Sequence, residues 1–482
     1  MSRLVKQKMT HTRYDLTIIG GGSGGLTAAR LAASLGANVL LIDKERLGGD
    51  CLYTGCVPSK SLIYAARIIH DASNAANLGL MPVHFELDLS KINHFIQTVI
   101  EKIAESEKVY TEGVTVKFGE VSFKSATELT LNGEAFTSRN TLISTGSRPL
   151  IPRIEGLEET GYLTNEDVFN LLSLPPSLLI VGGGPIGVEL GQAFRRLGTD
   201  VTIIEGLDRI LPKEDAEVSA ALTEILRSEG INVVTNASFI NAEHVGNKKV
   251  VTAKQGEKYL AIEADEILLT IGRQPNVEEL NLEAAKIRYS NKGIQVNEHL
   301  QTSTPNIFAI GDVIGGYLFT HMAAYQAGIA IRNALVPIGK KKVDYRVVPW
   351  CIFTDPELAR VGLTTDEAEN HHKQTRIVKF PVADIDRAQA ESETRGFIKL
   401  VLAGKKEEIV GAHLVCAHAG ELLGEMALAI QHHLTINDIL DTIHAYPTMS
   451  TGIQQTAFEA YLHGTGVSSN RKIVQTLLRL RK

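Results

Sequence analysis

The segment YDLTIIGGGSGGLTAARLAASLGANVLLIDK, which begins at Tyr14, limits the possible folds more than any other stretch of the chain. An apolar run leads into a glycine-rich turn, a helix of small and apolar residues follows, and a second apolar run ends on Asp43. The turn fits G-x-G-x-x-G with Gly20, Gly22 and Gly25. The first glycine permits the tight turn, the second lets a pyrophosphate approach the backbone, and the third lets helix and strand pack closely. Free N–H groups at the helix start would face phosphates, and the strand-end acid can accept from ribose hydroxyls. The same unit recurs as SLLIVGGGPIGVELGQAFRRLGTDVTIIEG, with Gly182, Gly184 and Gly187 in the turn, Gly198 after the helix and Glu205 at the strand end. In both copies the acid lies 23 positions after the first glycine (20 to 43, 182 to 205). Two unrelated accidents of that kind are improbable, so the pattern predicts two dinucleotide sites. Glu205 favours NADH over NADPH in the second, because a carboxylate repels a 2′-phosphate, while Arg209 four positions on would soften that preference.

A second stretch, GGDCLYTGCVPSK from Gly48 to Lys60, places Cys51 and Cys56 five positions apart. Four cysteines among 482 residues do not make a disulfide framework, which points a close pair toward redox or metal chemistry. No second Cys or His pair lies at ligand spacing, so no metal site is expected. Pro58 and the following SKSLIYAARIIH read as a helix beginning, with Cys56 near its N-terminus. The helix dipole and Lys60 would both favour a thiolate there. Cys351 and Cys416 stand singly and read as small buried apolar residues.

Taken in order, the first glycine turn, GGDCLYTGCVPSK, STGSRP at 144–149, the second turn, TIGRQPN at 270–276 and TPNIFAIGDV at 304–313 resemble the class I pyridine nucleotide–disulfide oxidoreductases. The resemblance runs from residue 14 to residue 465. It implies an α/β fold of two Rossmann-like dinucleotide-binding domains plus an α+β dimerisation domain. It further implies FAD in the first cradle, with Gly20, Gly22, Gly25, Asp43, Gly146 and Asp312 around it and Asp312 on the ribityl chain. NAD(P)H would occupy the second cradle, against Gly182, Gly184, Gly187, Glu205 and Gly272. Lys60 would pair with Glu189 at the reactive edge of the flavin. Cys56 would be the charge-transfer thiolate facing the flavin, and Cys51 would attack substrate, the two forming a disulfide when oxidised. A thiol–disulfide couple exchanges two electrons, which matches a hydride.

The C-terminal motif departs from the family pattern H-P-T-x-x-E, in which a His supplied by the partner subunit is the acid–base catalyst and a Glu orients it. Here TIHAYPTMSTGI, aligned on Pro447 and Thr448, puts Tyr446 at the His position and Thr451 at the Glu position. A phenol with a pKa of ~10 is a poor base near neutral pH, and catalytic proton transfer is worth ~10²–10⁴ in rate. His444, two residues earlier, is a candidate replacement, with a structural hydrogen bond as the competing role. The tyrosine and the phrases FTHMAAYQAG and FTDPELARVGL resemble the mercuric reductase branch, yet the tail NRKIVQTLLRLRK lacks that branch's vicinal cysteines.

These features predict an enzyme that passes electrons from NAD(P)H through FAD and a Cys51–Cys56 disulfide to a small-molecule or protein disulfide, or to another electrophile. A redox-sensing flavoprotein with little turnover is the competing class, and a dihydrolipoamide dehydrogenase or a mercuric reductase proper are the alternatives within the resembled family. By the same resemblance, residues 1–150 hold the FAD domain and redox helix, and 151–280 the NAD(P)H domain. Residues 281–345 return to the FAD site, and 346–482 form a homodimer interface with a basic tail.

A formal charge of −6 gives no case for nucleic acid, and no apolar run reaches the ~18 residues of a membrane span. The leader MSRLVKQKMTHTR lacks an apolar signal core and reads as disordered in a cytoplasmic protein. Arg471, Lys472, Arg479, Arg481 and Lys482 around Ile473, Val474, Leu477, Leu478 and Leu480 would allow peripheral membrane contact, although packing on the protein itself is commoner.

Overall fold

A computed structural model describes residues 13–81, 86–464 and 474–480. The leader therefore lies outside the described residues. So do Arg471, Lys472, Ile473, Arg481 and Lys482 of the basic tail, whose residues 474–480 are helical with Val474, Leu477, Leu478 and Leu480 exposed.

The first glycine unit builds a seven-stranded sheet. Arg13–Ile19 pairs in parallel with Val39–Asp43 on one side and Glu134–Ile143 on the other, and Thr115–Phe118 extends the sheet beyond Val39–Asp43. The run VLLI is apolar at every position because the sheet is covered on both faces. Val39 and Leu41 join Ala28, Ala29 and Ala32 of the helix Ser23–Ser34, whereas Leu40 and Ile42 face Phe123, Leu129 and Ile307. Far along the chain, Ile307–Ala309 adds in parallel to Thr141–Ile143, which delivers Asp312 to Ser147, three residues after Ser144.

The second unit forms a four-stranded parallel sheet ordered Asn232–Val234, Asp200–Ile204, Ser177–Val181, Glu266–Leu269. An antiparallel meander of Ala237–Val245, Lys248–Gln255 and Lys258–Ala264 lies beside it. The two units are joined where Arg273–Pro275 pairs with Ser147–Pro149, so TIGRQPN and STGSRP meet in one small ribbon.

From Pro349 onward a five-stranded antiparallel sheet carries the helices Ala419–Gln431 and Thr451–Leu462. Its core includes Ile398, Leu400, Leu414, Met426 and Ile453. The fold is thus two Rossmann-like units and a separate α+β unit. No helix among the described residues is long and apolar enough to cross a membrane.

Candidate functional site

Each glycine of the first turn does a different job. Gly20 has φ +102°, and a Cβ there would lie 2.2 Å from Ser144 O; one on Gly25 would lie 1.8 Å from Gly20 O. Gly22 instead faces open space, with only Gly49 Cα at 3.7 Å from an added Cβ. The second turn repeats the arrangement, since a Cβ on Gly182 or Gly187 would strike backbone and one on Gly184 would meet nothing within 4 Å. Two closed glycines around an open one leave a cradle fit for a pyrophosphate in each unit. Gly146 and Gly272 likewise leave the ribbon's edge open, with nothing within 4 Å of an added Cβ. Both strand-end acids reach back to their own turns: Asp43 Oδ2 accepts from Gly21 N at 2.7 Å, and Glu205 Oε2 from Gly183 N at 2.8 Å. Arg209 is paired with Asp208 at 3.2 Å.

Cys51 sits in a five-residue helix, Gly49–Tyr53, and Cys56 is the first residue of the helix Cys56–Asn74. That helix begins two residues before Pro58; proline fits its first turn because an N–H there has no intrahelical partner. The sulfur is thereby at the positive end of the dipole. Both cysteines are free thiols here, with Cys56 the more exposed. The Cys51 hydrogen bond, the Lys60 charge and the Thr320 hydroxyl pull the Cys56 thiol down to about 6 against the opposing effect of burial. Thr320 Oγ1 lies 3.7 Å from Cys56 Sγ. Cys51 is pushed the other way, chiefly by donating to Cys56 and by burial. Both shifts favour carrying the negative charge on Cys56 and not on Cys51.

Lys60 Nζ donates to Glu189 Oε2 at 2.7 Å, and Glu189 Oε1 accepts from Phe353 N at 2.9 Å. Burial opposes the Lys60 charge, but Glu189 outweighs it and raises the ammonium pKa. Lys60 also lies 4.5 Å from the centre of the Phe353 ring. On the ribbon side, Asp312 Oδ2 accepts from Ser147 Oγ at 2.6 Å, and burial raises the Asp312 pKa. A half-buried carboxylate beside the open glycines suits a hydroxylated chain.

The C-terminal residues are placed differently. Tyr446 is 74 % exposed and its phenol donates to Asp386 Oδ2 at 2.9 Å, 60 residues away. Thr451 Oγ1 donates to Thr448 O at the start of its helix. His444 is engaged at both nitrogens, Nε2 lying 2.9 Å from Glu425 Oε1 and Nδ1 3.0 Å from Thr442 O. It has no spare nitrogen for a thiol in this arrangement. Burial raises the pKa of Cys351 and, to about 12, that of Cys416, leaving neither reactive. Among the described residues no group of three or more His, Cys, Asp or Glu side chains could hold a metal ion.

Sequence reasoning missed Thr320, Asp50, Arg273 and Asp386. Arg273 lies inside TIGRQPN, Asp50 inside GGDCLYTGCVPSK and Thr320 inside FTHMAAYQAG, which were the available signals; Asp386 lay in no quoted motif, and all four meet their partners through tertiary contacts.

Comparison with known proteins places this geometry. A family model described as pyridine nucleotide-disulphide oxidoreductase matches residues 14–328, and the dimerisation domain of the same family matches 348–457. A mercuric reductase from Staphylococcus aureus is 36% identical over 448 residues, 92% of this chain and 82% of that protein. A dihydrolipoyl dehydrogenase from Geobacillus stearothermophilus is 37% identical over 447 residues, 90% of this chain and 93% of that one. The Cu(II) complex of the HOCl-induced flavoprotein disulfide reductase RclA from Escherichia coli superposes with a TM-score of 0.82 at 29% identity, covering 91% of this chain and 98% of that one.

Proposed function

Since the chain belongs to the class I pyridine nucleotide–disulfide oxidoreductases and is an NAD(P)H-dependent flavoprotein disulfide reductase, we propose that its Cys51–Cys56 pair hands electrons from NADH to thiol-reactive acceptors that need little acid–base help. Cys56 at the start of its helix, with Thr320 Oγ1 at 3.7 Å and Lys60 held by Glu189 at 2.7 Å, is the observation that carries this reading. FAD in the first cradle would supply the two-electron relay between nicotinamide and sulfur. Gly20, Gly22, Gly25, Asp43, Gly146 and Asp312 would hold it; Gly182, Gly184, Gly187, Glu205 and Gly272 would hold the nicotinamide nucleotide. Lys60, fixed by Glu189, keeps a positive charge beside Cys56 and so holds its thiolate.

Toward a disulfide acceptor, Cys51 must lose its proton, attack one sulfur and release the other as a thiolate. Cys56 then attacks the Cys51 sulfur, releases the second thiolate and closes the Cys51–Cys56 bond. The first of these steps wants a base, and Tyr446 serves poorly. Toward Cu(II), two metal ions each take one electron as the Cys51–Cys56 bond forms and the remaining thiol proton leaves. A quinone takes both electrons and gains two protons. A Cu(II) ion acidifies the thiol that coordinates it, and a quinone can react from the thiolate favoured at Cys56, so neither depends on a protein base at Cys51. Similarity to a mercuric reductase, and to a flavoprotein disulfide reductase solved as a Cu(II) complex, supports a soft metal ion among the acceptors.

Glu205, with Arg209 already paired to Asp208, supports NADH over NADPH. The C-terminal unit supports a homodimer, through which Tyr446 would face the partner's sulfurs. A reducing cytoplasm is the location that suits an NADH-fed dithiol.

Steady-state rates test the proposal. Cu(II) or a benzoquinone with NADH should turn over at least about tenfold faster than glutathione disulfide or lipoamide, a modest part of the ~10²–10⁴ a lost base costs. NADH should exceed NADPH by about tenfold in kcat/KM, equivalent to ~1.4 kcal/mol. Equal or faster reduction of glutathione disulfide would overturn the acceptor assignment, and a preference for NADPH the cofactor assignment.

A further inference from the structure

Cys51 is presented by a very short helix, and such a helix holds its position only if something clamps it. The clamp is Arg273. Its Nη2 donates to Asp50 Oδ2 at 2.7 Å and to Ser147 O at 2.9 Å, and its Nε donates to Ser147 Oγ at 2.7 Å. Its Nη1 lies 3.4 Å from Asn165 Oδ1. Asn165 Nδ2 in turn donates to Thr54 O at 3.0 Å and Asp50 Oδ1 at 3.4 Å, and the Thr54 hydroxyl donates to Asp50 Oδ1. Both ends of the helix that carries Cys51 are thus tied to one guanidinium and one amide. The guanidinium is only 13% exposed, so its charge is weakly screened.

Arg273 is itself anchored from the other side. Three residues before it, Thr270 N donates to Val181 O at 2.8 Å and Thr270 Oγ1 to Gly182 O at 2.8 Å, beneath the second glycine turn. Asp312 lies 3.9 Å from Arg273 Nε, and Ser147 bridges the two. The arginine therefore stands between two carboxylates, one of them on the residue just before Cys51.

We propose that Arg273 is a positioning residue for thiol exchange: it holds the short helix presenting Cys51 and offsets the charge that Asp50 carries on that same helix. The proposal rests on the dithiol reading above. A nucleophilic Cys51 must become a thiolate, and an uncompensated carboxylate one residue away would oppose that. A planar guanidinium suits the task because it meets Asp50, Ser147 and Asn165 at once; a lysine would offer a single point of contact.

The test reads Cys51 alone, in full-length FAD-loaded protein carrying Cys56→Ser, so that no acceptor turnover is involved and its outcome is separable from that of the proposed function. The rate of iodoacetamide alkylation of Cys51 is followed by mass spectrometry between pH 6 and 10. In that background Arg273→Met should slow Cys51 alkylation below its midpoint by about three- to tenfold, corresponding to an upward midpoint shift of up to about one pH unit. Asp50→Asn should move it the other way, and Asp50→Asn with Arg273→Met should return it to within about twofold of the parent. Faster alkylation in all three variants would show that the Arg273 charge has no hold on Cys51 ionisation, and would overturn the proposal. So would an unchanged profile in Asp50→Asn, an isosteric change that keeps the guanidinium.

Discussion

In the otherwise unaltered protein, Cys56→Ser is expected to stop acceptor reduction through the sulfur pair, a loss of at least about 10⁴-fold, in line with the removal of a covalent nucleophile from other enzymes. Cys51 would still attack a disulfide acceptor, but no second sulfur would remain to resolve the mixed disulfide. NADH oxidation by a dye such as ferricyanide, which has no need of the sulfurs, should survive in the same variant, and that split separates a lost thiol from a lost fold. The pH dependence carries a second signature. The Cys56 thiol is held at about 6, well below the ordinary thiol range, mainly by the Cys51 hydrogen bond and then by Lys60. Its thiolate is present above pH 6 and is lost as pH falls through that value. Wild-type turnover through the sulfurs should therefore decline below pH 6, while dye reduction should not follow the same curve.

Tyr446→His combined with Thr451→Glu is expected to raise glutathione disulfide or lipoamide turnover by ~10²–10⁴, because it restores a base and its orienting carboxylate. The phenol of Tyr446 is committed to Asp386 and has no base to offer near pH 7. Asp386 also gives the new imidazole a second possible carboxylate partner, so Tyr446→His alone should recover part of the gain. Rates measured with Cu(II) should change far less. If His444 supplied the proton transfer already, wild type would reduce disulfides well and His444→Ala would abolish that activity. Its contacts to Glu425 and Thr442 argue against such a role.

What was legible in the chain follows from the range of the forces involved. The two glycine cradles could be read because strand, turn, helix and acid are consecutive, and their roles show in clashes as local as Gly25 against Gly20 O. The Cys51–Cys56 turn and the Lys60 charge are likewise local, although the helix starts at Cys56 and not at Pro58. Pairing of Lys60 with Glu189 came only from family resemblance, being a contact across 129 residues. Asp50 with Arg273, 223 residues apart, and Cys56 with Thr320, 264 apart, had no signal in spacing at all. They exist because the Ser147–Pro149 and Arg273–Pro275 ribbon, and the return of the chain through Asp312, bring distant segments to the redox turn. Tyr446 could be recognised as a departure, but its acceptor Asp386 could not, since only the fold of the third unit sets that distance.

The central claim, that a Cys51–Cys56 couple stores and passes the electrons, is tested most directly by anaerobic reductive titration with dithionite of the fully FAD-loaded protein after air oxidation. The account predicts four electrons per subunit, two for FAD and two for the sulfur pair, with two new thiols per subunit trapped by alkylation at Cys51 and Cys56. Saturation at two electrons, with no thiol gained, would contradict it.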